Sequence, residues 1–213
     1  MSTSERRSVE TRGKILEIAE QEFAREGYAG AHLQRIASQV GVQKTALYYY
    51  FDSKAALFES VLAGMMDFFD ARIAEVLDLP GTHAERLIEL VDRMNDLLAE
   101  RPAYAQVLIR IFIDQYEITS SEILNEPIER VIGRLLRFLK SGMEAGEFVR
   151  VSSRHLLTST LGAVVFHYAT GPIGSAMLGV EDLFSKEVVD WRRQEMRGLV
   201  RRAFLKDRAA ANA

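Results

Sequence analysis

The chain has 213 residues, of which 48% are hydrophobic and 27% are charged, which is usual for a globular protein. The absence of cysteine excludes disulfides and thiolate chemistry, and the apolar runs are far shorter than the roughly 20 residues of a membrane-spanning helix. The net charge of −3 does not by itself favour nucleic acid, because residues 1–54 carry eight basic and seven acidic side chains. The polar N-terminal stretch does not look like a secretory signal, so we expect a cytoplasmic protein with no membrane partner.

The spacing of apolar residues predicts an all-α chain of about nine helices. Apolar side chains recur every three or four positions, as they do along one face of a helix. Glycines, prolines and two capping boxes, Thr82–Glu85 and Thr119–Glu122, predict where helices begin and end. The predicted helices cover approximately residues 9–26, 33–40, 44–50, 54–78, 82–100, 102–117, 119–142, 153–170 and 185–207, and the segment GPIG after the eighth is expected to be a loop.

The second and third predicted helices are short and are separated by Gly41. Glycine enters the left-handed backbone conformation of a tight turn without a steric penalty. Together with the longer helix in front of them, which Gly27 is expected to end, these helices form a helix-turn-helix pattern. The pattern alone is only moderately specific, since many helical proteins contain such turns.

The segments TRGKILEIAEQEFAREGY and LQRIASQVGVQKTALYYYFDSKAALFESVL closely resemble the N-terminal DNA-binding domain of the TetR family of transcriptional regulators. The similarity covers about residues 9–62, and the matching positions are Arg12, Phe23, Gly27, Tyr28, Ile36, Ala37, Gly41, Val42, Leu47, Tyr48, Phe51, Lys54 and Leu57. The resemblance implies an N-terminal three-helix helix-turn-helix DNA-binding domain, residues 1–53. A larger helical domain for effector binding and dimerisation, residues 54–213, is expected to follow it.

Two positions depart from the family pattern. The family usually places Thr or Ser before its second and third helices, where this chain has His32 and Gln43. Histidine and glutamine cap helices poorly, so we expect these helix ends to use water or a phosphate oxygen instead. The fold is not affected, but a hydroxyl contact with phosphate is not implied at either position.

The third predicted helix has the residues that a recognition helix needs. Such a helix enters the major groove with its N-terminal residues against the bases. Lys44 can donate to guanine, Gln43 can pair with adenine, and Thr45 can contact a thymine methyl group. The full set of predicted DNA contacts, including those that the resemblance implies, is His32, Gln34, Gln43, Lys44, Thr45, Ala46, Tyr48, Tyr49, Lys54 and Arg12.

The aromatic cluster that follows divides by helical geometry. Leu47 and Phe51 are four positions apart and are expected to face inward. Tyr48 and Tyr49 are expected to face outward, where a phenol can hydrogen-bond a phosphate, and Tyr50 is expected to be partly buried. The competing interpretation is ordinary half-buried packing with solvated lysines beside it.

Soft apolar side chains in the C-terminal part are typical of a core, but they also suit a cavity for an apolar effector. Arg110 is interpreted as part of a solvated polar stripe, paired with Asp114 at i,i+4 spacing. The four histidines lack metal-ligand spacing, and no cofactor is expected. The candidate pocket residues are Met65, Phe69, Phe112, Tyr116, Met143 and His167, although a lone histidine is more often a core or interface residue.

The resemblance implies that the eighth and last predicted helices form the dimer interface. Two helices from each subunit would make a four-helix bundle around a two-fold axis. The candidate interface residues are Leu161, Val165, Val189, Met196, Leu199, Val200 and Ala203.

The resemblance therefore implies a homodimeric, sequence-specific transcriptional regulator. Its partners would be double-stranded DNA with a pseudo-palindromic operator and a small apolar effector that releases a repressor from that operator. No nucleophile–base pair, phosphate loop or metal cluster is visible, which disfavours an enzyme. The remaining alternative is a TetR-like protein that acts through protein partners or without an effector.

Overall fold

In a computed structural model of the protein, residues 3–113 and 122–206 are described, with the side chains of residues 5–111 and 125–206. These residues confirm the all-α fold, and they contain ten helices and one isolated antiparallel bridge between Phe148 and Leu205. The helices are α1 Thr3–Gly30, α2 Leu33–Val40, α3 Lys44–Tyr50, α4 Lys54–Leu77, α5 His83–Glu100, α6 Pro102–Ile113, α7 Glu122–Glu144, α8 Ser153–Ala169, α9 Pro172–Leu178 and α10 Lys186–Phe204.

The observed helices differ from the predicted ones at a few places. α1 begins at Thr3, before the predicted start, and resumes after a break at Gly27, where φ is 71° and ψ is 175°. The segment predicted as a loop opens α9, because Gly171 turns the chain with φ 52° and Pro172 takes the first helical position. The end of the sixth predicted helix and the predicted capping box at 119–122 lie outside the described residues.

The first three helices meet at one end of the hydrophobic core. α1 contributes Ile15, Ala19 and Phe23, which meet Ile36 of α2 and Leu47 of α3 in one buried cluster. α4 then begins at Lys54, where the Ser53 hydroxyl caps the helix by accepting the N–H of Ala56 at 3.0 Å. α4 is 24 residues long, so it extends from this end of the core into the rest of the protein.

Contacts between the helices connect the two parts of the chain. α4 packs against α1 and α7, while α6 contacts both α1 and α8, and α5 packs against α10. Most buried apolar side chains belong to a single continuous cluster that runs through both parts. α4 and α6 are therefore the helices through which a change in the C-terminal part can reach α1.

Polar contacts fix α5 against α8 and α10. Arg197 forms a two-pronged ion pair with the buried Asp92, with nitrogen–oxygen distances of 2.6–2.9 Å. The Tyr168 hydroxyl donates to Asn95 Oδ1 at 2.8 Å, and Asn95 Nδ2 donates to the Val189 carbonyl at 3.3 Å. Because Asp92, Asn95 and Tyr168 are buried, their hydrogen bonds help to define how the three helices fit together.

In the described part of the chain, no single helix has the length and apolar content of a membrane span. The helices Ser153–Ala169 and Pro172–Leu178 have that length and apolar content only when they are taken together, and they are bent by 103° relative to each other. The same residues contain no cluster of three or more His, Asp or Glu side chains that could hold a metal ion.

Candidate DNA-binding surface and effector cavity

The turn between α2 and α3 is closed by backbone hydrogen bonds. Gly41 adopts φ 86°, and the N–H groups of Gly41 and Val42 both donate to the Ala37 carbonyl at 3.0 Å. A Cβ at position 41 would meet no atom within 4 Å, so it is the left-handed backbone and not lack of space that favours glycine. This turn ends α2 and sets the direction in which α3 begins.

α3 presents its N-terminal residues to solvent. Gln43, Lys44 and Thr45 are exposed and Ala46 is half-buried, whereas Leu47 is buried in the core of α1–α3 as predicted. An exposed run of one amide, one cation and one hydroxyl offers both donors and acceptors to base edges. The base-contacting role of these residues remains a prediction that fits their placement.

The aromatic cluster divides as its helical spacing predicts. Phe51 is buried, Tyr48 is 47% exposed and Tyr49 is 81% exposed. Tyr50 is half-buried, and its ring meets that of Tyr49 edge-on with centroids 5.2 Å apart. The exposed phenol groups are free to reach a phosphate, while Tyr50 mainly braces Tyr49.

The starts of α2 and α3 are not capped by side chains. His32 and Gln43 have extended backbones and form no capping hydrogen bond, as their residue types predict. Both side chains are exposed, as is that of Gln34. The backbone N–H of His32 instead donates to Glu22 Oε1 at 3.1 Å.

Glu22 is a functional candidate that the sequence interpretation missed. Its side chain is buried, with 2% of the residue exposed, and it accepts a hydrogen bond from Arg25 at 2.6 Å. Arg35 of α2 lies 3.5 Å from the same carboxylate and donates to Glu26 at 2.8 Å. Glu22 follows Ile15 by seven positions, so its place on the apolar face of α1 was a usable signal of burial.

Two predicted phosphate contacts make specific contacts within the protein. Lys54 Nζ donates to the Ala29 carbonyl at 3.1 Å and lies 5.0 Å from the centre of the Tyr28 ring. Burial lowers the pKa of Lys54. The Arg12 guanidinium stacks over Phe51 at 5.0 Å while the residue stays exposed. Lys54 therefore ties α4 to the end of α1, which is a structural role in addition to any contact with DNA.

Arg110 does not belong to a solvated stripe. Its Nε donates to the Ala24 carbonyl at 2.8 Å, and a terminal nitrogen donates to the Arg25 carbonyl at 2.6 Å. The expected partner, Asp114, lies outside the described residues. The sequence interpretation failed here because a long arginine on an otherwise apolar helix can reach a neighbouring helix, which spacing within one helix does not reveal.

A cavity of about 430 Å³ lies among α4, α5, α6, α7, α8 and α10. Among the lining residues that the structure describes, Thr160 contributes the only side-chain hydroxyl, and that hydroxyl is bonded to the Leu156 carbonyl at 2.8 Å. The lining residues are Leu62, Met66, Phe69, Ile73, Leu87, Leu90, Val91, Met94, Leu98, Leu108, Ile111, Ile128, Val131, Ile132, Leu135, Phe138, Leu139, Leu157, Thr160, Leu161, Val164, Val165 and Phe204. Such a wall can bind apolar groups but has no donor for a buried charge.

The cavity wall includes Phe69 from the predicted pocket set, and the role of that set as effector contacts stays a prediction. Met65 does not line the cavity, because α4 turns a neighbouring face inward and Met65 is packed in the core. His167 and Met143 are not lining residues either, since they lie beyond the lining stretches of α8 and α7. The side chain of Phe112 and all of Tyr116 are outside the described residues.

The residues predicted to form the dimer interface differ in their exposure within the single chain. Leu161, Leu199 and Ala203 are exposed, but Met196 and Val200 are buried within the chain. Val165 is buried at the cavity and Val189 is half-buried. The assignment of the seven residues to a dimer interface stays a prediction. On α10 the buried face packs on α5, which leaves a neighbouring stripe outward. The large exposed apolar side chains of α8–α10 are Leu161, Phe166, Ile173, Met177, Leu178, Trp191 and Leu199.

His167 of α8 and Arg192 of α10 lie close enough for the charge of Arg192 to act on the imidazole. Within the described part of the chain, His167 Nε2 and Arg192 Nε are buried without a hydrogen-bond partner, while another Arg192 nitrogen donates to the Ala163 carbonyl at 2.7 Å. Burial, with a smaller contribution from the charge of Arg192, lowers the pKa of His167 to about 4. The imidazole is therefore neutral at physiological pH, as expected for an interior or interface histidine.

Comparisons with known proteins point to one family. The profile described as bacterial regulatory proteins, tetR family, matches residues 15–61, which include α2, α3 and the turn between them. The HTH-type transcriptional repressor SCO4008 of Streptomyces coelicolor is 31% identical over 137 residues, which cover 64% of this chain and 66% of that repressor.

Two solved structures share the whole fold. AibR in complex with isovaleryl coenzyme A and operator DNA has a TM-score of 0.70 at 20% identity, and the match covers 89% of this chain and 97% of AibR. The transcriptional regulator FadR from Bacillus subtilis in complex with stearoyl-CoA has a TM-score of 0.65 at 22% identity, covering 88% and 96% of the two chains. The family profile and the similarity to SCO4008 show that the chain belongs to the TetR family of helix-turn-helix DNA-binding transcriptional regulators, which are not enzymes.

Proposed function

We propose that this protein is a homodimeric repressor whose release from a pseudo-palindromic operator is controlled by an effector with a large apolar part. The observation that carries the proposal is the cavity of about 430 Å³, which is lined almost wholly by hydrocarbon. A site of this size is within the usual range for small-molecule pockets. An aliphatic or polycyclic group fits its chemistry, whereas a charged group must remain outside it.

The named ligands of two structural neighbours support an acyl group as the apolar part. The FadR structure contains stearoyl-CoA and the AibR structure contains isovaleryl coenzyme A. We therefore propose an acyl-coenzyme A or the corresponding fatty acid as the effector class. The acyl chain would occupy the cavity, and the polar end would lie at or beyond its rim.

The proposed dimer uses the exposed apolar side chains of α8–α10. Leu199 and Trp191 lie on the outward stripe of α10, and Phe166 is exposed on α8. Several large apolar side chains exposed on neighbouring elements favour an interaction site. A two-fold pair would place two recognition helices on successive major grooves. We also propose a division between residues 1–53 and 54–213, which coincides with the Ser53 cap of α4, and a cytoplasmic location, where operator DNA is accessible.

Titration with an acyl series tests the effector class. An operator is first selected from a random DNA pool with the wild-type protein. Fluorescence anisotropy then measures the affinity of the protein for that DNA in the presence of saturated acyl-coenzyme A molecules or free fatty acids of increasing chain length. Each added methylene should tighten effector binding about fourfold while the cavity has room, from about 0.8 kcal/mol per buried methylene. Binding that ignores chain length, or effector binding that leaves operator affinity unchanged, would refute the proposed class.

Two lysine variants test the DNA-binding surface. Lys44→Ala should relax base preference at one position of each half-site, at a cost of about 1–3 kcal/mol for the preferred base. Lys54→Ala should weaken binding to specific and unrelated DNA by similar factors. Wild-type binding by both variants, or the absence of salt-sensitive, sequence-specific binding by the parent protein, contradicts the assignment.

A further inference from the structure

We propose that Arg110 is the positioning residue through which the state of the apolar cavity reaches the DNA-binding helices. The inference rests on the proposed effector function and specifies how its two sites are connected. It starts from the two hydrogen bonds that join the Arg110 guanidinium to the carbonyls of Ala24 and Arg25. The donor belongs to α6, while the acceptors belong to α1 of the helix-turn-helix part.

The position of these carbonyls gives the contact its importance. They lie in the last turn of α1 before Gly27, where the backbone leaves the helical conformation with φ 71°. A helix that ends leaves its last carbonyls without partners along the helix, and those carbonyls carry partial negative charge. The guanidinium supplies both hydrogen bonds and a complementary charge at this helix end.

The other side of α6 faces the cavity. Leu108 and Ile111 line it, and they flank Arg110 in the sequence. Successive residues of an α-helix are about 100° apart around its axis, so Arg110 points away from these two side chains and towards α1. A movement of α6 that follows filling or emptying of the cavity therefore changes the distance between Arg110 and its two carbonyl partners.

The end of α1 that Arg110 contacts is also hydrogen-bonded to α2 and α4. The Arg25 side chain is paired with the buried Glu22, which also accepts the N–H of His32 at the start of α2. A few residues further along, the Ala29 carbonyl accepts from Lys54 at the start of α4. Residues of α2, α4 and α6 thus hold the segment between positions 22 and 32, and Arg110 supplies two hydrogen bonds to it from α6.

A purely structural cap is the competing explanation, and thermodynamic coupling separates the two. If an effector weakens operator binding by a given factor, operator DNA must weaken effector binding by the same factor. Loss of a structural cap lowers stability but leaves this factor unchanged. Loss of a transmitting contact reduces the factor even when each ligand still binds alone.

The experiment compares the wild type with Arg110→Ala, Arg110→Lys and the control Arg93→Ala. Arg93 is a surface arginine whose side chain bonds to Glu89 within α5, so its loss controls for removal of a positive charge. Two perturbations are applied to each protein: addition of stearoyl-coenzyme A, and the cavity-filling substitution Leu135→Trp, which needs no added ligand. The readouts are operator affinity by anisotropy, stearoyl-coenzyme A affinity by calorimetry and thermal stability.

We expect each perturbation to weaken operator binding about tenfold in the wild type and in Arg93→Ala, a typical strength of allosteric coupling. In Arg110→Ala the factor should fall to roughly threefold or less, with stearoyl-coenzyme A still bound within about threefold of wild-type affinity in the absence of DNA. Arg110→Lys keeps the charge with a single donor group, so an intermediate factor is expected; it also serves as the test if Arg110→Ala does not fold.

If both perturbations weaken operator binding by the Arg110 variants as much as they weaken operator binding by the wild type, the inference is overturned and the proposed function stays intact. If neither stearoyl-coenzyme A nor the Leu135→Trp substitution changes operator affinity in the wild type, the cavity is not linked to the DNA-binding surface. That result overturns both proposals together.

Discussion

Gly142 and Phe148 provide a sharp test of how the C-terminal part is packed around the cavity. A Cβ placed on Gly142 would collide with three carbons of the Phe148 ring. Phe148 is fully buried, and its ring contacts Phe138, a wall residue of the cavity, with centroids 5.8 Å apart. On another side it meets His83, which is itself fixed to Glu147 by a 2.8 Å contact.

The substitution Gly142→Ala should therefore destabilise the protein even though alanine favours helices. Overpacking of a close-packed interior costs typically about 1–3 kcal/mol, and a collision with three ring atoms of a fully buried residue belongs in the upper part of that range, at about 2–3 kcal/mol. Replacing glycine by alanine within a helix recovers up to about 1 kcal/mol. The net loss is about 1–2 kcal/mol, which corresponds to a fall in Tm of roughly 2–8 °C for a chain of this size. Displacement of Phe148 towards Phe138 should also narrow the cavity and weaken effector binding.

Gly64→Ala is the matched control. Gly64 is exposed on α4, and a Cβ there meets no atom within 4 Å, so the same chemical change should stabilise the protein by about 0.5–1 kcal/mol. Urea unfolding and thermal melting of the three proteins at one concentration provide the measurement, since Tm depends on concentration when subunits associate. A Gly142→Ala protein as stable as the wild type would refute the packing around Phe148.

Two further predictions concern α8. Tyr168→Phe removes the donor to the buried Asn95 oxygen and should lower the free energy of unfolding, measured in urea, by about 1–3 kcal/mol. The control Tyr49→Phe changes an exposed side chain and should stay within about 0.5 kcal/mol of the wild type. Equal stability of the two variants would contradict the hydrogen bond between Tyr168 and Asn95. The pKa of His167 is lowered to about 4 in the folded protein, whereas an unperturbed histidine has a pKa of about 6.5. Between about pH 6.5 and 4 the unfolded chain therefore binds a proton at this residue and the folded chain does not. The free energy of unfolding should fall as the pH falls through that window. His167→Gln should flatten this part of the stability profile, and an unchanged slope would show that another group causes it.

The sequence predicted the helix-turn-helix part well because its structure is determined locally. The apolar spacing, the glycine at position 41 and the poor capping residues His32 and Gln43 each describe one short stretch of chain, and each has the predicted consequence in the fold. The predicted split of the aromatic cluster, with Leu47 and Phe51 inside and Tyr49 outside, also follows from helical periodicity within a single helix.

In the C-terminal part, the surroundings of a side chain depend on which helices meet, and spacing along one helix does not predict that. The apolar stripe of α10 was assigned to a dimer, but Met196 and Val200 are buried in their own chain, because α5 covers that side of the helix. Met65 lies one helical step from the cavity-lining face of α4. The apolar period of a sequence shows which side chains share a face of one helix, but it does not show which other helix packs against that face.

Arg110 illustrates the same limit in a way that bears on mechanism. Within α6 it looks like one member of a polar stripe, and its actual partners are main-chain carbonyls, which leave no signature in the sequence. Main-chain partners also explain why this contact suits transmission between domains. The acceptors at Ala24 and Arg25 move only when α1 itself moves, so a change in this contact reports on the position of a whole helix and not on a side-chain rotamer. The regulatory contact is therefore expected to tolerate side-chain changes at the acceptor positions and to be sensitive to change at Arg110.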